Sequence, residues 1–296
     1  MNHYFWLMKR EFWENRAIWA VPAIIGGLLL LAALFGRIDT VNLTTAALTT
    51  PAQTRIVGWA VLFALSGTFF VVMSIYSTWY LLDCLYADRK DRSVLFWKSL
   101  PLSDTATVLS KLVTAVIVIP LVYFVAADFT TILIAFILSV RASSALGGAL
   151  WHAELWLQLQ ALWLYVIVTT AIWYLPVAGW LLVISAWARR AVMLWAILPP
   201  LALYLAERWF LGSHMVGTQL NTRLWGYLPL AFHTAPDSTH WATTVFDNDR
   251  ITAPSNLWVL LNPGSFLSSP QTWIGAAIGI AFIIGAVQLR LRRTEI

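Results

Sequence analysis

Asp128 interrupts an otherwise uncharged run from Leu112 to Val140. A carboxylate in such a run is a functional candidate by default, because a charge in apolar surroundings is costly to keep. It lies past the middle of the run, which favours water access or a hydrogen-bonded structural role over proton or substrate handling. His214, His233, Asp237 and His240 form a second group. Imidazole and carboxylate both ligate zinc, but His-x3-Asp-x2-His matches no metal spacing, so no metal site is expected. The single Cys84 excludes an internal disulfide and a cysteine zinc cage. No H-E-x-x-H occurs, and no catalytic residue is assigned.

Aromatic residues offer a binding surface instead. Trp156, Trp163, Trp173, Trp180 and Trp187 recur at spacings of 7, 10, 7 and 7. At 100° per residue they stay within roughly 140° of one helix face. Trp163, Trp173 and Trp180, with Asp128, could line the path of an amphiphilic cargo. The plainer reading is packing and interfacial anchoring, which tryptophan favours in membranes.

The stretch "ADRKDRSVLFWKSLPLSD", Ala87 to Asp104, could bind a partner. It is charged at its ends and apolar at its centre, Val94-Leu95-Phe96-Trp97. Ser93 can cap a short helix that Pro101 ends, and Ser103 or Asp104 can cap the next. An apolar patch between charges needs a cover, either the membrane surface or a docked protein.

These residues must be positioned by membrane spans. Of the 296 residues, 60% are hydrophobic and 11% charged, against about 25% charged in soluble domains. The fold class expected is all-α: a polytopic membrane protein, read as a single domain over 1–296. Spans of about 20 apolar residues are expected at 17–35, 56–82, 112–140, 160–187, 191–210 and 273–289. Residues 155–160, "LWLQLQ", are expected at the interface. Residues 1–16 form an amphipathic interfacial helix, with Phe5, Met8, Phe12 and Trp13 near one face and Lys9, Glu11, Glu14 and Arg16 around it. The long segment 213–271 is too long for a simple connection. Within it "APSNLWVLLNPG" reads as a short re-entrant helix, with Ser255 at its start and Asn262-Pro263-Gly264 at its stop.

Six spans put both termini on one side. Lys9, Arg10, Arg16, Arg89, Lys90, Arg92, Lys98, Lys111, Arg189, Arg190, Arg290, Arg292 and Arg293 fall there, 13 of the 19 lysines and arginines. The positive-inside rule makes that side cytoplasmic. The net charge of +5 reports orientation and implies no nucleic-acid partner.

"YADRKDRSVLFWKSLPLSD" resembles the first cytoplasmic loop of ABC type-2 exporter permeases, and "KREFWENR" resembles that family's opening amphipathic helix. The resemblance implies a coupling helix at Val94–Leu100, within the loop 88–104, seated in a groove of a separate ATPase. Phe96 and Trp97 would be buried with Val94 and Leu95, and Arg89, Asp91, Arg92 and Lys98 would make the polar rim. No G-x-x-x-x-G-K-[ST] occurs, so ATP and its magnesium would be bound by the partner chain. The resemblance further implies a second permease chain, identical or related, and a bacterial inner-membrane location among membrane lipids. The cargo expected is a drug, peptide or lipid. An intramembrane enzyme and a non-transporting scaffold are the alternatives.

Overall fold

The computed structural model describes residues 3–36, 51–90, 103–141, 148, 150–233 and 257–292. Helices dominate, and the one β-type contact among these residues is an isolated bridge between Phe232 and Leu261. The order is α1 (His3–Glu14), α2 (Ala17–Phe35), α3 (Pro51–Lys90) and α4 (Asp104–Arg141). Then come α5 (Ala153–Trp173), α6 (Leu175–Trp187), α7 (Val192–Ala206), α8 (Met215–Trp225) and α9 (Tyr227–Ala231). A 3-10 turn at Leu257–Leu260 leads to α10 (Pro263–Ser268) and α11 (Pro270–Arg292).

Five of these helices, α2, α3, α4, α5 and α11, are long and apolar enough to cross a membrane. The chain is therefore a multi-pass helical membrane protein. Two expected spans differ from single helices. The fourth, 160–187, is divided at Tyr174 into α5 and α6. Pro176 explains the break: its ring nitrogen cannot donate to the carbonyl one turn back. The fifth appears as the 15-residue α7, containing Pro199 and Pro200, followed by a π-helical turn at Glu207–Leu211. "LWLQLQ" is helical throughout, and Leu155, Gln158 and Leu159 are buried in protein.

Ser103 is the residue that caps α4, its Oγ accepting from the Ala106 amide at 3.1 Å. Asn262 has a role besides the one expected. The 3-10 turn Leu257–Leu260 ends just before it, and its Oδ1 accepts from the Ser265 amide at 3.1 Å, so Asn262-Pro263 also opens α10. Ser255 lies outside the described residues. The same residue pair suits both roles, since asparagine caps and proline at the first helical position match a helix start.

The main core joins Phe69, Met73 and Tyr80 of α3, Ile119 and Tyr123 of α4, Trp163 of α5 and Leu182 of α6. Small residues set the helix spacing. A Cβ on Gly26 of α2 would lie 2.6 Å from Thr130 Oγ1 of α4, so glycine lets these helices touch. A smaller core of Trp173, Tyr227, Ala231 and Phe266 ties α9 and α10 to the α5–α6 break. Arg189 and Arg190 form a tight turn that Ala191 completes at φ 51°, in the left-handed region. The turn folds α7 back on α6, where Trp180 Nε1 donates to the Ala196 carbonyl at 3.1 Å.

Candidate functional site

The described residues on either side of segment 91–102 enter one charge cluster: Asp88 is near the end of α3 and Asp104 begins α4. Lys111 Nζ lies 3.1 Å from Asp88 Oδ1 and 3.1 Å from Glu11 Oε1. Arg290 of α11 donates through Nε to Asp104 Oδ1 at 2.8 Å and through Nη1 to Asp88 Oδ2 at 3.4 Å. Tyr80 donates its hydroxyl proton to Glu11 Oε2 at 2.8 Å. Arg10 adds a contact to Glu11 at 3.2 Å and reaches Glu14 at 2.9 Å.

Burial makes this cluster unlike a surface ion pair. Glu11 is 1% exposed, Lys111 2% and Asp88 9%. Exposed pairs contribute about 0–1 kcal/mol, whereas removing one member of a buried pair leaves an uncompensated charge. Four carboxylates, Glu11, Glu14, Asp88 and Asp104, face the three cations Lys111, Arg290 and Arg10, and Glu14 is the one of the four that is half exposed. Four separate helices supply them: α1, α3, α4 and α11.

A second clasp adds α6. Ser185 Oγ accepts from the amides of Leu85 and Tyr86, each at 3.1 Å. Arg89 Nη2 donates to the carbonyls of Ser185 at 2.5 Å and Ala188 at 2.8 Å. The last carbonyls of a helix lack intrahelical donors, and Arg89 fills that role for α6. Arg89, expected in the loop's polar rim, is thus held against α6. Asp91, Arg92, Val94, Leu95, Phe96, Trp97 and Lys98 lie outside the described residues.

Glu11 departs from its expected place on the rim of a surface helix: it turns inward and meets Lys111. The sequence does carry a signal for Lys111. It sits two turns inside a capped helix, too deep to belong to the terminus, and so needs a counter-charge from another element.

Asp128 is partnered by Gln160 of α5, whose Nε2 donates to Asp128 Oδ1 at 2.6 Å. That is the hydrogen-bonded arrangement an apolar span demands of a carboxylate. The tryptophans are all engaged by protein. Trp163 is 5% exposed and packs on Phe70 and Phe124 with centroids at 6.0 and 5.9 Å. Trp173 has no exposed surface, and Trp180 tilts against Phe282 at 5.7 Å. Trp156 donates to the Leu150 carbonyl at 2.8 Å, and Trp187 meets Trp195 edge-on at 4.8 Å. His214 lies 3.4 Å from Arg208, and His233 lies 3.4 Å from Asn262. Asp237 and His240 lie outside the described residues, among which no group of three metal-ligating side chains occurs.

Composition gives no hint of Arg223. Its guanidinium lies 4.3 Å above the Trp173 ring. It donates to the carbonyls of Trp173 at 3.0 Å and Gln271 at 2.9 Å, and Trp173 Nε1 donates back to the Arg223 carbonyl at 2.9 Å. A Cβ on Gly275 would fall 1.9 Å from Arg223 Nη2, so glycine leaves room for the guanidinium. Arg223 bolts α8 to the α5–α6 break and to the start of α11. Arg223→Met should release α8, at a local cost of about 1.5–3 kcal/mol for hydrogen bonds from a charged group. Limited proteolysis should then cut within 215–225 at least tenfold faster; an unchanged rate would remove the bolt.

No family model, curated protein or solved structure matches the chain.

Proposed function

We propose that the chain is the membrane-embedded permease subunit of an ABC type-2 exporter, driven by a separate cytoplasmic ATPase. The observation that carries the reading is the charge cluster holding the residues on either side of segment 91–102. A surface loop that only connects two spans needs no such anchor. A loop that must transmit force does, because a push on a loosely held segment is absorbed locally. Here a push would reach Asp88 and Asp104 and pass into α1, α3, α4 and α11 together. Rigid-body movement of packed helices is a recurrent form of switching.

The resemblance of Ala87–Asp104 and of "KREFWENR" to the permease family supports the same reading. In it, the loop and both termini are cytoplasmic, and the chain crosses the bilayer six times. α5 and α6 together make one broken crossing. α7 with its π turn has 20 residues, about 30 Å of helix, enough to cross. The ATPase binds ATP and magnesium; a second permease chain completes the complex. The cargo is a hydrophobic or amphipathic molecule.

Co-purification tests the reading. The tagged chain, extracted from its host in mild detergent, should bring a P-loop ATPase in near-stoichiometric amount. Phe96→Ala with Trp97→Ala should reduce that recovery at least tenfold while leaving expression unchanged. An intramembrane enzyme or a scaffold would come alone, and hydrolytic activity of the isolated chain would select the enzyme.

A further inference from the structure

Two irregular turns, the π turn of α4 and the α5–α6 break, meet the regular face of α3 at one cavity. Its volume is about 410 Å³, within the range of small-molecule sites. One wall is the face of α3 carrying Ser74, Ser77 and Thr78. The second is the π turn Thr114–Val118 of α4 with Pro120 behind it, and π turns are frequent at functional sites. The third is the α5–α6 break around Thr170 and Tyr174, and α8–α9 close the remaining side. A second cavity of about 330 Å³ adjoins it, sharing Phe70, Tyr227 and Leu228.

The chemistry of the walls defines the occupant. Neither cavity is lined by an Asp, Glu, Lys, Arg or His. A charged ligand would be desolvated there without a counter-charge, which is prohibitive. Most of the lining is apolar, but the α3 face is not. Ser74 and Thr78 donate to carbonyls one turn back on their own helix, at 2.9 and 2.8 Å. Thr170 does the same on α5. Their donors are used, and their oxygens remain free to accept. Ser77 also belongs to this face, but its Oγ has no accessible surface. The oxygens a ligand can reach are therefore those of Ser74 and Thr78, and a ligand with one O–H would donate to them.

We infer that this cavity binds a neutral amphiphile: an uncharged, largely hydrocarbon molecule whose single hydroxyl donates to the Ser74 or Thr78 oxygen. The site lies within one chain. As the cargo's seat it rests on the exporter reading, but binding itself does not. The test therefore uses the purified chain in phosphatidylcholine nanodiscs without any ATPase, so its failure is separate from failure of the pull-down.

The probe is a diazirine-bearing dodecanol, mapped by peptide mass spectrometry after photolysis. Saturable labelling should concentrate in residues 70–81 and 170–181. Unlabelled dodecanol should reduce it at least fivefold, and dodecyl phosphate, of equal chain length, should not. Ser74→Ala with Thr78→Val should weaken the apparent affinity about threefold to tenfold. Gly67→Phe should block the adjoining cavity, because a Cβ there has no neighbour within 4 Å and the backbone need not shift. Labelling spread evenly over the exposed face of α7 would mean bulk partitioning and overturn the site. Saturable labelling that dodecanol fails to displace would assign the cavity to a bilayer lipid chain and overturn the assignment to a free amphiphile.

Discussion

Lys111→Met is expected to cost about 3–5 kcal/mol of stability, the range for breaking a buried ion pair by removing one partner. The ammonium is 3.1 Å from both Glu11 and Asp88, and Lys111 is 2% exposed. Methionine fills similar volume but leaves two carboxylates facing each other. Asp88 keeps Arg290 at 3.4 Å; Glu11 keeps Arg10 and the Tyr80 hydroxyl. Neither replacement partner is as central as the lysine. Unfolding in mixed detergent micelles measures the loss.

The control is a change of charge, not of shape. Adding Glu11→Gln and Asp88→Asn to Lys111→Met removes the carboxylates that the ammonium was compensating. More than half of the lost stability should return, since the cost of a broken buried pair lies in the charge left behind. A loss under about 1 kcal/mol for Lys111→Met would place the cluster with hydrated surface pairs. Asp88 and Asp104 would then lack a rigid mount. On the exporter reading, Lys111→Met chains that still fold should let the ATPase hydrolyse ATP with little transport.

The helical, membrane-spanning character was legible because bilayer thickness acts on composition directly. A run such as Ala17–Phe35 has few other uses, and α2 has those bounds. Element ends were less legible where charges are satisfied by protein. α3 continues to Lys90, beyond the expected boundary at residue 82, because Asp88 and Arg89 find partners on α4, α6 and α11. The α5–α6 break was written in Pro176 but hidden by the apolar run around it. The charge cluster was the least legible part. Glu11 and Lys111 are 100 positions apart, and an amphipathic pattern in α1 suits a surface helix as well as one with an inward-facing glutamate. The same pattern with no partner chart cannot separate the two.

Gly279→Leu is expected to abolish correct packing of α6 on α11. A Cβ on Gly279 would lie 2.7 Å from the Leu175 carbonyl carbon and 2.8 Å from the Pro176 nitrogen. One on Gly179 would lie 2.7 Å from the Gly279 carbonyl oxygen. The obstacles are backbone atoms, which cannot rotate aside like a side chain. Overpacking costs about 1–3 kcal/mol in adaptable cores, and this site should be at or above that range. In a membrane no hydrophobic force restores the contact, since close packing through small residues is what holds such helices together. The damage should also reach the charge cluster. α11 carries Arg290 and α6 carries Ser185, so separating them draws Arg290 away from Asp88 and loosens the clasp on α3. Gly27→Leu is the matched control, because a Cβ there meets nothing within 4 Å. Size-exclusion profiles in detergent should show Gly27→Leu as a single folded peak and Gly279→Leu as aggregate. Equal profiles for the two would mean that α6 and α11 do not touch through their glycines, and the route to α6 would have to be redrawn through Arg89 and the Ser185 hydroxyl.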